Sequence, residues 1–308
     1  MDACIYAVIV NWNGGSADNI QCIDSLIADG LKPERIVFVD NASSDGSLES
    51  VRERWPALIL QLNSANLGYG EGSNQGMQLA LDAGAEALYL VNNDVSFPKG
   101  TLARLWQELQ AGKSQRLGIV GPRVVYRQEP DMIWCAGGKL TYRQNLSQMI
   151  GHRQHDGPRF QKNIDVDYVP GCALLVSREV LESIGLLQAD YFAYHEDVEF
   201  CMQAKEAGFG VRMVGEALAF HDAHHSTGGG YNARRKYMMG LNTVWFLRKH
   251  GTPLRWLSFL FFDVLSLPLV WLLRAPRGEG GAVLAKARGT WHGLLGRRVT
   301  ADAVEPRV

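Results

Sequence analysis

Along the first 120 or so residues, short apolar runs alternate with stretches whose apolar positions recur at helical spacing. The runs at 5–12, 35–40, 58–62, 87–91 and 118–120 are nearly continuous, as strands covered on both faces require. Between them the pattern predicts helices around 17–29, 45–54, 71–84 and 100–111. This alternation predicts an α/β fold, a mostly parallel, Rossmann-like sheet with helices on both faces. Such sheets bind ligands beyond the carboxyl ends of their strands. Polar residues gather at those ends: Asn11 and Asn13, Asp40 and Asn41, and Asn92 to Asp94.

From about 121 to 170 the pattern is irregular and rich in Gly, Arg, Gln and Asp, with strand-like pieces at 123–126 and 138–142. Loops facing an acceptor substrate are expected there. Residues 172–177 read as a strand, 178–184 as a helix stopped by Gly185, and 197–207 as a helix stopped by Gly208. A long helix with basic and apolar faces is expected over 231–250. Residues 256–273 are then almost wholly apolar, interrupted by Asp263 and Pro268. That length is at the lower limit for a bilayer core of about 30 Å, and a central Asp costs about 2.5–3.5 kcal/mol on insertion. A helix lying in the interface, with Arg248, Lys249, Arg255, Arg274 and Arg277 beside it, fits better. The alternative is a buried hairpin or an oligomer contact. The chain thus divides into a catalytic region, 1–228, with its nucleotide side at about 1–120, and a helical region, 229–308.

Composition narrows the class. A net charge of −1 with 20% charged residues gives no electrostatic footprint for nucleic acid. Five cysteines, odd in number and without a CxxC pair, argue against a zinc ribbon or disulfide framework and for reduced thiols in the cytoplasm. The N-terminus lacks the basic and small-residue features of a signal peptide and reads as a buried strand.

The chemistry concentrates in three segments. Tyr194-His195-Glu196-Asp197-Val198-Glu199 crowds carboxylates and a histidine at a helix start. The bland explanation is an acid-rich first turn suited to the helix dipole; the functional one is a cluster used by a cation, a substrate or a proton. Asn92-Asn93-Asp94 ends a buried strand in an acid, a hard oxygen ligand for Mg²⁺ or Mn²⁺ or simply a cap. Asp40-Asn41-Ala42-Ser43-Ser44-Asp45 reads mostly as turn and cap, with Asp40 left for ligand work. The glycine-dense stretch from Asn66 to Gly76 follows the third strand rather than the first and lacks the dinucleotide spacing, and no P-loop occurs. Its glycines would admit a ligand close to the backbone, with the Asn74 amide offered to a sugar or phosphate.

The succession VIVNWN, VDNASSDGS, NLGYGEGSNQG, LVNND, VDYVPGCALLVSREVLESIG and YFAYHEDVEFCMQAKEAGFGV resembles the inverting family 2 glycosyltransferases of GT-A fold, in the rhamnosyltransferase-like branch that builds cell-surface polysaccharide. The resemblance spans about residues 4 to 225. It implies a nucleotide-sugar donor (dTDP-rhamnose or a UDP-sugar), a divalent metal (Mg²⁺ or Mn²⁺), a glycan or lipid-linked acceptor, and work at the cytoplasmic face of the inner membrane. It implies base recognition by Asp40 and a donor site including Asn11, Asn13, Asn66, Gly68, Asn74, Asn92 and Asn93. Its Asp-x-Asp metal motif falls on Asn92-Asn93-Asp94, leaving Asp94 the carboxylate ligand. Its Glu-Asp pair falls on Glu196-Asp197, with Asp197 the base, and its downstream histidine on His221, with His224 and His225 weaker candidates. Where relatives carry Arg after the pair this chain has Gln203, with Lys205 two further on. A nucleotidyltransferase, which would show a basic glycine loop after the first strand, and a non-catalytic partner of a glycan-assembly complex are the rival readings.

Overall fold

The protein is described here from a computed structural model covering residues 4–143, 145–222 and 231–301. Its first half alternates β1 (Ile5–Asn11), α1 (Ser16–Ala28), β2 (Ile36–Asp40), α2 (Ser47–Arg54), β3 (Ile59–Leu62), α3 (Gly68–Asp82), β4 (Ala87–Asn92), a short β5 (Val95–Ser96) and α4 (Thr101–Ala111). The second half contains β6 (Leu117–Tyr126), β7 (Ile133–Cys135), β8 (Gly138–Leu140), β9 (Ser147–Met149), β10 (Ile164–Asp165), β11 (Ala173–Ser177), α5 (Arg178–Ile184), α6 (Glu196–Glu206) and β12 (Gly210–His221). Among the described residues there follow α7 (Ala233–His250), α8 (Pro253–Phe259), α9 (Leu267–Arg274) and α10 (Gly280–Leu294), with a π-helical turn, Leu260–Leu265, between α8 and α9.

The main path of the sheet runs β10–β12–β6–β11–β4–β1–β2–β3, with β5 and β7 at its side. β3, β2, β1 and β4 are parallel, as the pattern predicts. Beyond β4 the sheet is mixed, because β11 inserts antiparallel to both β4 and β6. The expected pieces 118–120 and 123–126 form one strand, β6, buried along its whole length. Successive residues feed opposite cores: Val8, Val37 and Leu90 face one, Ile9, Phe38 and Val91 the other.

The glycine-dense segment is the first two turns of α3, and its glycines serve packing. A Cβ at Gly76 would stand 2.5 Å from Val8 Cγ1, and one at Gly72 3.0 Å from Val10 Cγ1. The missing side chains let α3 lie close against β1 and β2 despite their helix-propensity cost of about 1 kcal/mol each. Gly68 is needed on two counts: its φ is +85°, and a Cβ would meet the Phe192 carbonyl at 2.6 Å.

In the C-terminal region α7 and α10 cross closely: a Cβ at Gly240 would lie 2.4 Å from the Lys286 carbonyl oxygen, and one at Gly289 2.0 Å from that of Tyr237. Residues Pro253–Arg277 form one helical stretch long and apolar enough to cross a membrane, its most apolar window having a mean hydropathy of 1.9 and being only 11% buried. Leu254, Phe261, Leu265, Leu269 and Leu272 all point outward. Asp263 points the other way, fully buried against Lys286. The charge that counts against a membrane-facing helix is thus turned into the protein.

Candidate active site

A cavity of about 630 Å³ opens beyond the carboxyl ends of β1 and β4, a size suited to a small-molecule ligand. Its wall gathers Asn66, Gly68, Asn92, Asn93, Asp94, Glu196, Asp197 and His221, candidates drawn from four separate stretches of sequence. His224 and His225 lie outside the described residues.

Four other candidates are engaged in the fold. Asn11 is completely buried; its amide nitrogen donates to Asp40 Oδ1 (2.9 Å), Ser43 Oγ (3.0 Å) and Ser47 Oγ (2.8 Å). Its oxygen accepts from Asn19 and Asn93, at 3.0 Å each. Asp40, also buried, accepts from Ser43 N–H at 2.9 Å through its second oxygen and is absent from the cavity wall. Asn13 accepts from Ser44 N–H at 2.8 Å and sits outside the cavity. Asn74 both donates to the Leu187 carbonyl (2.8 Å) and accepts from its N–H (2.9 Å), so its amide pins a loop. These four residues hold the strand ends and loops in register rather than lining the cavity. Trp12, which the polar pattern passes over, does line it. Neighbouring positions on an extended chain face opposite sides, so Asn11, the last residue of β1, is turned away from the cavity that Val10 and Trp12 line.

Asp94 and His221 meet at the tips of β4 and β12. His221 Nε2 lies 3.3 Å from Asp94 Oδ1, and both side chains are buried. The β5–β12 pairing sets this proximity by placing His221 opposite Val95. The His221 ring stands edge-on to Trp134, centroids 4.3 Å apart, and its Nδ1 has no hydrogen-bond partner. Among the described residues no group of three or more metal-ligating side chains occurs. One carboxylate and one imidazole nonetheless suit Mg²⁺ or Mn²⁺, which keep water and take phosphate oxygens for the remaining positions.

Asp197 opens α6 on the cavity wall. Its Oδ2 accepts from Gly171 N–H at 2.9 Å and its Oδ1 from Val198 N–H at 2.8 Å. Tyr69 supports the same loop, its hydroxyl donating to the Gly171 carbonyl at 2.8 Å. Burial raises the Asp197 pKa, and its backbone hydrogen bonds only partly offset this. Glu196 is raised to about 8, first by burial and then by Asp197, and its Oε2 has no hydrogen-bond partner. Two adjacent carboxyls with this bias can share a proton at neutral pH.

The third acid belongs elsewhere. Glu199 faces α7, taking Lys249 Nζ at 2.6 Å and His250 Nε2 at 3.2 Å. Burial alone would raise its pKa, but hydrogen bonds from His250, Lys249 and Gln203 more than offset that and lower it. Gln203 is thus committed to Glu199, and Lys205 to Asp167 at 2.6 Å; neither lines the cavity.

The loop leading into α6 is strained. Phe192, Tyr194 and His195 all have positive φ, between 61° and 74°, a conformation costing about 1–3 kcal/mol per residue. Asn242 of α7 clamps this loop, its amide donating to the carbonyls of Tyr191, Ala193 and Tyr194 at 3.0, 2.9 and 2.7 Å. The sequence offers one clue to it, a polar residue on the apolar face of a long helix.

The chain is 27% identical over 222 residues to an N-acetylglucosaminyl-diphospho-decaprenol L-rhamnosyltransferase of Mycobacterium tuberculosis, covering 64% of this chain and 69% of that one. It is 26% identical to the low-salt glycan biosynthesis hexosyltransferase Agl10 of Haloferax volcanii (70% of this chain, 66% of that one), and 22% identical to the dTDP-rhamnosyl transferase RfbF of Shigella flexneri (82% and 83%). Among solved structures, the mannosyltransferase PcManGT of Pyrobaculum calidifontis, in complex with GDP-Man and Mn²⁺, superposes with TM-score 0.58 at 14% identity, over 95% of this chain and 87% of that one. GalNAc-T7 with UDP, GalNAc and Mn²⁺ gives TM-score 0.60 at 15% identity over 79% of this chain, which spans about half of that longer protein (47%). The fold is GT-A. The glycosyl transferase family group 2 profile matches residues 98–286, and that of glycosyl transferase family 2 matches residues 6–185, more than half of the sequence, so this chain belongs to glycosyl transferase family 2 and is a glycosyltransferase of glycan or polysaccharide synthesis.

Proposed function

We propose that the enzyme is an inverting transferase moving a sugar, rhamnose in preference, from a nucleotide-sugar to a glycan or lipid-linked acceptor at the cytoplasmic face of a membrane. The observation that carries this reading is Asp197, half-buried on the cavity wall and fixed through both oxygens. Its raised pKa brings it nearer to neutrality, where a general base works best. Asp197 takes the proton of an acceptor hydroxyl as that oxygen bonds to the anomeric carbon. The carbon–oxygen bond to the diphosphate breaks on the opposite face, its electron pair leaving with the diphosphate, and the anomeric configuration inverts. A divalent ion held by Asp94 and His221 would neutralise charge on the diphosphate as a Lewis acid. Trp12 offers the cavity an aromatic face beside the ends of β1 and β4. Rhamnose is favoured because two relatives are named for its transfer.

Incubation with dTDP-rhamnose and UDP-sugars, with Mn²⁺ or chelator, tests the donor class; release of nucleoside diphosphate from none of them would overturn the reading. The membrane reading rests on the outward apolar face of Pro253–Arg277. Replacing Leu260, Phe261 and Leu265 with Ser should cut flotation with anionic liposomes while donor turnover in detergent persists.

A further inference from the structure

The cavity has a second, basic wall, with no place in the catalytic assignments. The first turn of α7 lines it with Arg234, Arg235 and Lys236, and Asn145 lies beside them. Lys236 is 8% exposed; its Nζ donates to Asn145 Oδ1 at 3.2 Å and sits 4.4 Å from the Tyr231 ring centroid. Lys286 of α10, equally buried, donates to the same Asn145 oxygen at 3.1 Å and pairs with Asp263, the acid turned inward from the apolar helix. Asp263 Oδ1 also accepts from Asn145 N–H at 3.1 Å.

Two buried ammonium groups therefore share one amide oxygen, and only Lys286 has a carboxylate partner. Arg235 adds a third cation: its Nε is buried without a hydrogen-bond partner, and its guanidinium lies 5.6 Å from the Tyr194 ring centroid. Among the described residues no carboxylate forms an ion pair with Arg234, Arg235 or Lys236. Buried charge without a counter-charge is costly, and the cost shows in Lys236. Burial first, then Lys286, Arg235 and Arg274, pull it down to about 7. An anion entering the cavity would complete this arrangement.

We propose that Arg234, Arg235 and Lys236, backed by Lys286, form a subsite for the diphosphate of a lipid-linked acceptor, separate from the site of the donor's diphosphate. The proposal rests on the glycosyltransferase reading and names the acceptor's class. Two observations favour the acceptor over the donor. His195, adjacent to Glu196 on the cavity wall, is close enough to Asp263, Lys286 and Arg235 to feel their charge, so the basic wall lies near the acidic pair, while the donor-side candidates Asn92 to Asp94 belong to the end of β4. The basic wall is also continuous with the exposed apolar helix. Arg274, at the end of α9, lies 4.5 Å from the same Tyr231 ring that faces Lys236, and Asp263 comes from the π-helical turn between α8 and α9. A ligand with an anionic head and a long apolar tail matches both features at once.

Calorimetry on the full chain tests this with farnesyl diphosphate, farnesol, dTDP and UDP as probes, in detergent with Mn²⁺. Farnesyl diphosphate should bind at least tenfold more tightly than farnesol, and should still bind when the preferred nucleoside diphosphate is saturating. Arg235→Gln combined with Lys236→Gln should weaken farnesyl diphosphate at least tenfold while the nucleotide's dissociation constant stays within twofold. One-for-one competition between farnesyl diphosphate and the nucleotide, which needs no variant, would place the anion in the donor site and overturn the proposal. So would equal binding of farnesol, or variants that lose nucleotide affinity in parallel. Failure of both nucleotides to bind would strike the dTDP- or UDP-sugar donor reading instead. Arg235→Lys, which keeps the charge, should restore part of the lost affinity, and should not do so if the double variant has merely misfolded.

Discussion

The two sides of the cavity are built on opposite principles. At the ends of β1 and β2, buried Asn11 has its amide oxygen and nitrogen fully engaged, and Asp40, Asn13 and Asn74 are each tied to their own chain. Across the cavity, Glu196 keeps an unbonded buried oxygen, three residues before α6 hold positive φ, and Arg234, Arg235 and Lys236 in the first turn of α7 form no ion pair with a carboxylate among the described residues. Satisfied polar groups rigidify a frame. Unsatisfied ones cost free energy in the resting protein and persist where a ligand or proton completes them. Chemistry is therefore expected on the second side, and mutation should separate the two.

The largest effect is expected at Asp197. Asp197→Asn keeps the shape and removes the base, so transfer should fall by about 10²–10⁴-fold while donor affinity, measured by calorimetry, stays within about threefold. Turnover within tenfold of the parent would remove Asp197 from the mechanism. Next comes Asp94→Ala, which should weaken Mn²⁺-dependent binding of the nucleoside diphosphate by about 10–100-fold, the scale of lost metal-site interactions. His221→Ala should act likewise, and the double variant should fall short of the product of the two, because both residues address one ion. An unchanged affinity in both single variants would put the metal elsewhere.

That division was only partly legible in the sequence. The parallel half of the sheet could be read because each strand is an apolar run bounded by turn residues, and local pattern suffices for that. The antiparallel insertion of β11 depends on long-range pairing and leaves no mark on its own six or so residues. At the site, Asp94, Glu196, Asp197 and His221 were readable as acids and a histidine at element ends, and they do line one cavity. Asn11, Asp40 and Asn74 were readable only as polar residues near a strand end or helix start; whether such a group faces a ligand or its own chain depends on partners 29 to 113 residues away. Trp12 and Asn242 escaped for the converse reason, one apolar where polarity was the guide and the other hidden in a helix. The acceptor-side wall was invisible because it needs α7, the π-helical turn and α10 brought together.

Asn11 and Asn242 offer the most direct contrast, since each is a fully buried asparagine whose amide nitrogen has three acceptors within hydrogen-bond distance. Asn11→Ala should destabilise the fold by about 2–4 kcal/mol, since each orphaned buried partner costs about 1–3 kcal/mol and some will relax. The molecules that stay folded should keep kcat within about threefold. Asn242→Ala frees the strained loop that carries the catalytic pair, so it should lower kcat about tenfold or more for a comparable loss of stability. Chemical denaturation run alongside steady-state kinetics checks both; equal kcat losses would erase the distinction between frame and reactive side.

The smallest effect, and the most specific to the unsatisfied side, is a pH dependence of stability. Glu196 titrates near 4.5 in the unfolded chain and is raised to about 8 in the fold by burial and by Asp197. Between those values the folded state binds more protons than the unfolded one, so this residue makes stability fall as pH rises from about 4.5 to 8. Glu199, lowered by its partners on α7, acts in the opposite direction, and its contribution is lost as pH falls below the usual carboxylate range. Glu196→Gln removes the first effect and leaves the second. The variant should therefore melt higher than the parent at pH 8, by roughly 3–6 °C for a gain of about 1–2 kcal/mol in a chain of this size, and should match it near pH 4.5. It should also be less active, because the neighbouring charge that helps hold the proton-sharing pair poised is gone. A parent protein whose melting temperature does not change between pH 5 and 8, or a variant no more stable at pH 8, would mean that Glu196 is hydrated and carries no stored cost. The contrast between the two sides of the cavity would then rest on backbone strain and on the basic wall alone.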